Sequence, residues 1–138
     1  MATVNGRKML VYVPLGPGWL DYSVVCDGWI YEFDAKSVDS GPWPFDSLEE
    51  HQATSLDEAT TAGRGRVIAG IVLSMEGGRR VWWLPWTRLA PRWWAWKRRA
   101  GRAAPGTASL SAEDCAEIGR ECSGVDWIAV AGAMHLSP

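Results

Sequence analysis

The hydrophobic and polar positions of the chain change period several times, and the changes divide it into short strands and helices. Residues 8–13 (KMLVYV) are rich in β-branched and aromatic side chains and predict a strand, which the Pro and Gly of residues 14–18 end. The clearest local signal follows. Two strand-like runs, residues 22–26 and 29–33, flank Asp27-Gly28. An Asp-Gly pair in that setting favours a type I′ turn, because both central residues must take positive φ. The hairpin then pairs Cys26 with Trp29, Val25 with Ile30 and Val24 with Tyr31.

Residues 40–45 (SGPWPF) read as a loop. Residues 46–61 lean helical, with Asp46 as cap, Glu49 three positions on, and Leu48, Gln52 and Leu56 on one thin stripe. Gly63-Arg64-Gly65 stops that helix. Residues 66–74 (RVIAGIVLS) form a nearly continuous apolar run, which suits a strand buried on both faces. Glu76-Gly77-Gly78 turns the chain back into residues 80–84 (RVWWL). There Val81 and Trp83 fall on one face, and Arg80 and Trp82 on the other.

Pro91 suits the first turn of a helix. Behind it Leu89, Trp93, Trp96 and Ala100 make an apolar stripe, and Arg88, Arg92, Arg99 and Arg102 a basic one beside it. Residues 101–107 read as a connection. Ser111 caps a last helix, with Asp114 at the capping-box position and Leu110 placed to staple against Cys115; Gly124 ends it. Residues 125–130 (VDWIAV) predict a final strand. The sum is one α+β domain over residues 1–138. Its sheet is mostly antiparallel, built from two hairpins plus single strands, with two or three helices packed on it. The βαβ alternation of a dinucleotide-binding fold is missing, and the glycine pairs at Gly16 and Gly63 are not phosphate loops.

Composition adds one anomaly. Apolar residues make up 47% and charged residues 22% of the 138, which is ordinary for a globular chain, but ten residues are Trp. Net charge is −2 and conceals a segregation. Residues 21–58 hold ten acids and one Lys; residues 79–102 hold eight basic residues, six tryptophans and no acid. The two segments either neutralise each other or offer opposite fields to different partners. No apolar run reaches membrane-span length, and residues 1–8 carry no leader-like apolar stretch. The three cysteines, Cys26, Cys115 and Cys122, are odd in number and lack a paired spacing. Neither a disulfide framework nor a zinc site is expected, no cofactor or metal is implied, and a reducing cytoplasm fits best. Seven residues apart on an expected helix, Cys115 and Cys122 share a face and read as small buried apolar groups.

Two constellations could carry function. In the first, Trp82 and Trp94 point away from the apolar stripes of their elements and join Arg92, Arg98 and Arg99 as a contact surface. Trp and Arg dominate protein interfaces, so a protein partner ranks first. Nucleic acid, which would stack its bases on the rings and set its phosphates on the arginines, is disfavoured by a pI near 5.6. A membrane surface ranks last, and a homodimer pairing acidic with basic patches is compatible with the segregation. In the second, Cys115 near a helix N-terminus would be a nucleophile, with His51 or His135 as base. The order of elements resembles the permuted papain-like group, which includes NlpC/P60-type thiol hydrolases. Tyr22 to Val25, Trp29 to Phe33 and Asp114-Cys115 stand at the matching places over residues 20–122. The resemblance implies a papain-like fold with Cys115 opening a late helix, but Tyr22 or Ser23 occupies the place of its catalytic His. The reading therefore leans to a non-enzymatic protein that binds another macromolecule through the Trp/Arg surface or the acidic one. A small thiol hydrolase and a Trp-lined small-ligand domain are the alternatives.

Overall fold

The computed structural model describes residues 2–4, 7–12, 20, 22–26, 28–62, 66–99, 108–123, 130–132 and 134. Seven strands form one sheet: β1 (Ala2–Val4), β2 (Arg7–Tyr12), β3 (Tyr22–Cys26), β4 (Trp29–Ser37), β6 (Val67–Met75), β7 (Arg80–Pro85) and β9 (Arg120–Cys122). Their spatial order is β1-β2-β3-β4-β6-β7-β9. β5 (Trp43–Pro44) and β8 (Ser109–Leu110) make a separate two-stranded pair. The helices are α1 (Glu50–Ala62), α2 (Trp86–Arg98) and α3 (Ala112–Ile118). The fold is α+β with a mostly antiparallel sheet.

Both hairpins form. β3 and β4 pair Cys26 with Trp29, Val25 with Ile30 and Val24 with Tyr31, as the Asp-Gly signal demands, and Gly28 takes φ +80°. In the second, β6 meets β7 from Gly70–Pro85 to Met75–Arg80 around a tight turn whose Gly77 and Gly78 both have positive φ. What joins the hairpins is a parallel step: β4 runs alongside β6 from Ile30–Val67 to Ser37–Ser74, with α1 as the crossover. Parallel neighbours need such a connection, and α1 thereby lies over the face of the sheet at β4 and β6.

The sheet is covered on both faces. On the helical face α1, α2 and α3 close over Ala69, Ile71, Leu73, Trp82 and Leu84. The other face gathers Val24, Cys26, Tyr31, Phe33, Ile68 and Trp83. β7 thus buries Trp82 on one side and Trp83 on the other, at 3% and 0% exposure. Gly70 is required beneath Trp83, because a Cβ there would lie 2.7 Å from its ring and 2.5 Å from the Leu84 carbonyl oxygen.

Several boundaries differ from expectation, each for a local reason. Residues 45–47 take a 3₁₀ turn, so Asp46 does not cap α1. The helix starts at Glu50, and Gln52 Oε1 accepts the Glu49 N–H at 3.0 Å, the reverse half of a capping box. α2 begins five residues before Pro91, with Pro85 at the N-cap. Pro91 and the Thr87 four residues before it are both exposed, so water can hydrate the carbonyl that the ring leaves unpaired. α3 has the expected capping box between Ser111 and Asp114, but it ends at Gly119 rather than Gly124. A Cβ at Gly119 would strike the Trp83 carbonyl oxygen. Cys122 is consequently on strand β9 and not on the helix of Cys115. Of the expected final strand only Val130 is described, and it is helical. Residues 14–18, Asp21, Asp27, residues 63–65, residues 100–107 and His135 lie outside the described residues.

The capping box makes a measurable contribution. Asp114 is held below the usual carboxylate range, first by the Ser111 backbone N–H and then by the Ser111 hydroxyl and Arg92. A depressed carboxyl adds stability that is present above its unfolded pKa and lost as pH falls through its folded one. Asp114→Ala should therefore cost about 1 kcal/mol at neutral pH. The difference should vanish in acid, as chemical denaturation at both pH values will show.

Candidate active site

Strand β4 does not stop at Phe33. It continues through Asp34, Ala35, Lys36 and Ser37, each paired with β6. Because side chains alternate along a strand, Glu32, Asp34 and Lys36 share one face while Tyr31 and Phe33 share the other. Their partners across the parallel step are Ala69, Ile71 and Leu73, so the three charged residues stand on the helical face beneath α1. Asp34 is 0% exposed and is the buried charged residue of the described chain.

Lys36 binds this site together. Its Nζ lies 3.0 Å from Asp34 Oδ2 in an ion pair and donates to Gln52 Oε1 at 3.1 Å. The Lys36 side chain is only 18% exposed. An ammonium has three donors, so one remains for a group entering the site. Glu32 is half-buried and accepts a 2.7 Å hydrogen bond from the Ser23 hydroxyl, its neighbour across β3. Burial pushes the Glu32 carboxyl above the ordinary glutamate value, and the Ser23 bond only partly reverses it. Stability is then greatest below the unfolded pKa and falls as pH rises through the interval up to the folded one. Glu32→Gln should raise the melting temperature at neutral pH, with the gain disappearing below the ordinary glutamate pKa. A lower melting temperature at pH 7 would contradict this reading of the carboxylate.

Holding a desolvated carboxylate beside a buried ion pair on a sheet face costs stability, and such arrangements concentrate at functional sites. Among the described residues no three His, Cys, Asp or Glu groups converge as an all-protein metal cage. Two strand-mounted carboxylates suit a different kind of cation. Magnesium is commonly held by one or two carboxylates, with water and substrate phosphates completing its shell.

The residues expected to form a contact surface are not gathered into one. Trp82 is 3% exposed in the core, with the Arg80 guanidinium 4.9 Å above its ring. Trp94 packs against the core and meets Trp93 edge to face at 4.8 Å. Arg92 is engaged within the chain, 2.6 Å from Glu117 and 3.4 Å from Asp114. Arg98 and Arg99 are exposed at the end of α2. Within the basic segment, Arg80 pairs with Glu121 and Arg92 with Asp114 and Glu117, acids that lie outside the acidic 21–58 segment. That segment contributes Asp57, which accepts the Trp86 indole N–H at 2.7 Å.

The thiol reading fails on geometry. Cys115 is fully buried, and its pKa is pushed up to about 12, first by burial and then by Asp114. His51 sits on α1, exposed, with Nδ1 3.1 Å from Glu49. In the folded protein Cys115 should resist iodoacetamide at neutral pH and react promptly once denatured. Native-state labelling at the rate of a free thiol would overturn this placement.

No protein-family model matches the chain, and no curated protein matches it. A solved structure does: a Holliday junction resolvase, Hjc, from Archaeoglobus fulgidus. It is 13% identical with a TM-score of 0.49, over 84% of this chain and 81% of that one. The papain-like expectation is corrected by Cys115, whose burial and raised pKa do not suit a nucleophile, and by the exposed position of His51 on α1. The burial of Trp82 and the internal pairing of Arg92 take both out of the expected Trp/Arg contact surface, which corrects the reading as a domain that binds protein through that surface and, with it, the ranking of protein before nucleic acid. Among the described residues no helix is long and apolar enough to cross a membrane.

Sequence reasoning missed Glu32, Asp34, Lys36 and Gln52. A signal was present: three charged residues at i, i+2 and i+4 continuing the apolar alternation of a hairpin strand. Ending the strand at Phe33 left Asp34 and Lys36 outside any expected element.

Proposed function

We propose that the protein is a magnesium-dependent phosphodiesterase that cleaves nucleic acid, most simply DNA. The observation that carries this reading is Asp34, wholly buried on the sheet face with Lys36 Nζ at 3.0 Å. Hydrolysis of a phosphodiester adds the oxygen of water to phosphorus and breaks one P–O bond, so negative charge gathers on the phosphoryl oxygens. A fixed ammonium meets that charge or holds the attacking water, and its orientation is set beforehand by Asp34 and Gln52. Asp34 and Glu32 are the carboxylates that would hold the cation. Once bound, it would polarise the phosphate and lower the pKa of a coordinated water. Exposed Arg88 and Arg98 on α2 offer phosphate contacts, which would make binding fall steeply with salt.

This reading agrees in kind with the name of the archaeal protein above, but it rests on the Asp34–Lys36 arrangement and not on that likeness. The experiment is cleavage of end-labelled DNA as single strand, duplex and four-way junction, with magnesium and with a chelator. Magnesium-dependent cleavage of at least one form is expected. No cleavage of any form, or cleavage indifferent to the chelator, removes the proposal.

A further inference from the structure

The structure assigns Gln52 as a positioning residue that ties the Lys36 ammonium to the N-terminal cap of α1. This rests on the phosphodiesterase reading for its effect on rate, though not for its effect on Lys36 itself. Gln52 Oε1 accepts two hydrogen bonds at once, from Lys36 Nζ at 3.1 Å and from the Glu49 N–H at 3.0 Å. The second bond closes the first turn of a 13-residue helix, which fixes the amide oxygen relative to α1. The first bond carries that fixity to a side chain with four rotatable bonds on β4. An amide carbonyl has two lone pairs, so neither bond competes with the other.

The arrangement gives Lys36 two anchors of different origin. Asp34 holds the ammonium from its own strand, two residues away, and Gln52 holds it from the crossover helix, 16 residues along the chain. With Asp34 alone, the ammonium could still swing about a single contact. The second anchor restricts it to one region, and the unused N–H then points in one direction. His51, the preceding residue, takes no part: its Nδ1 lies beside Glu49, and neighbours on a helix point different ways. A residue acting in this manner changes the rate of the chemical step more than substrate affinity. Misplacing a reacting group by about 1 Å can cost roughly 100-fold.

The test compares Gln52→Leu with Gln52→Glu in the full chain. Leu removes both acceptor functions, whereas Glu restores an oxygen for each donor. Two readouts are taken: kcat and KM for DNA cleavage in magnesium, and the rate of reductive methylation of the Lys36 amine, followed by mass spectrometry. For Gln52→Leu the expected result is a kcat lowered about 10- to 100-fold with KM within about twofold, and Lys36 methylated several-fold faster. Gln52→Glu should return both towards the parent values. Loss of the cap alone would lower the thermal stability of Gln52→Leu, restored in Gln52→Glu, without a kcat-specific defect and without faster methylation of Lys36, and would overturn the assignment. An unchanged methylation rate in Gln52→Leu overturns the assignment, as does a kcat equal to that of the parent. If the parent cleaves no DNA, the phosphodiesterase reading fails by itself, and the methylation rates still decide the role of Gln52.

Discussion

Replacing Lys36 with Met will lower DNA cleavage by about 10²–10³-fold, the loss expected when a pre-oriented charge donor is removed. It will also destabilise the fold. Asp34 is 0% exposed, and without the ammonium it would be a buried carboxylate that has lost its 3.0 Å ion pair with Lys36. Breaking a buried pair from one side costs about 3–5 kcal/mol, and the partial exposure of Lys36 places this case near the lower end. Lost activity could then be blamed on unfolding. The double variant Asp34→Asn with Lys36→Met separates the two effects, since exchanging both charges for neutral groups leaves no orphaned ion. Urea denaturation should show the double variant recovering most of the stability that Lys36→Met loses, while cleavage stays absent. Recovery of cleavage along with stability would mean that the pair is structural.

The second large effect concerns the tryptophans. Trp93→Ala should cost about 3–5 kcal/mol, the usual range for emptying a large aromatic site. Trp93 is 0% exposed, its ring meets Trp86, Trp94 and Trp96, and its indole N–H donates to the Phe45 carbonyl at 3.0 Å. Trp93→Phe keeps most of the ring contact but leaves that carbonyl without its donor, and should cost about 1–3 kcal/mol. Both figures come from denaturation midpoints at constant m-value. A fully stable Trp93→Ala variant would return these rings to the surface, where a binding role would have to be considered again.

These two sites show what the sequence makes legible. The β3–β4 hairpin could be read to the residue pair, because an Asp-Gly turn fixes register locally and the flanking runs agree with it. The α3 capping box was equally local. The parallel step between β4 and β6 was not visible, since it pairs residues 37 positions apart through α1 and leaves no short-range signature. The same blindness hid the site. Asp34 and Lys36 lie past the expected strand end at Phe33 and are buried only by β6 and α1, and Gln52 looked like part of a thin apolar stripe. Ring burial was misjudged by the same logic. Strand alternation predicts one exposed face for β7, but a sheet covered on both sides takes Trp82 into one core and Trp83 into the other. Net charge misled because pI averages the chain, whereas three of the acids in question are held within it: Glu32 by the Ser23 hydroxyl, Asp34 by Lys36 and Asp57 by the Trp86 indole. An acidic total therefore says little about whether a phosphate can approach one particular face.

The central claim is that the buried Asp34 is part of a cation-dependent active site. Its most direct test is single-turnover cleavage of a labelled four-way DNA junction by the parent chain and by Asp34→Asn, in magnesium, with both proteins matched by circular dichroism and melting temperature. The account predicts magnesium-dependent cleavage by the parent and none by a fully folded Asp34→Asn. Cleavage at the parental rate by Asp34→Asn would contradict it.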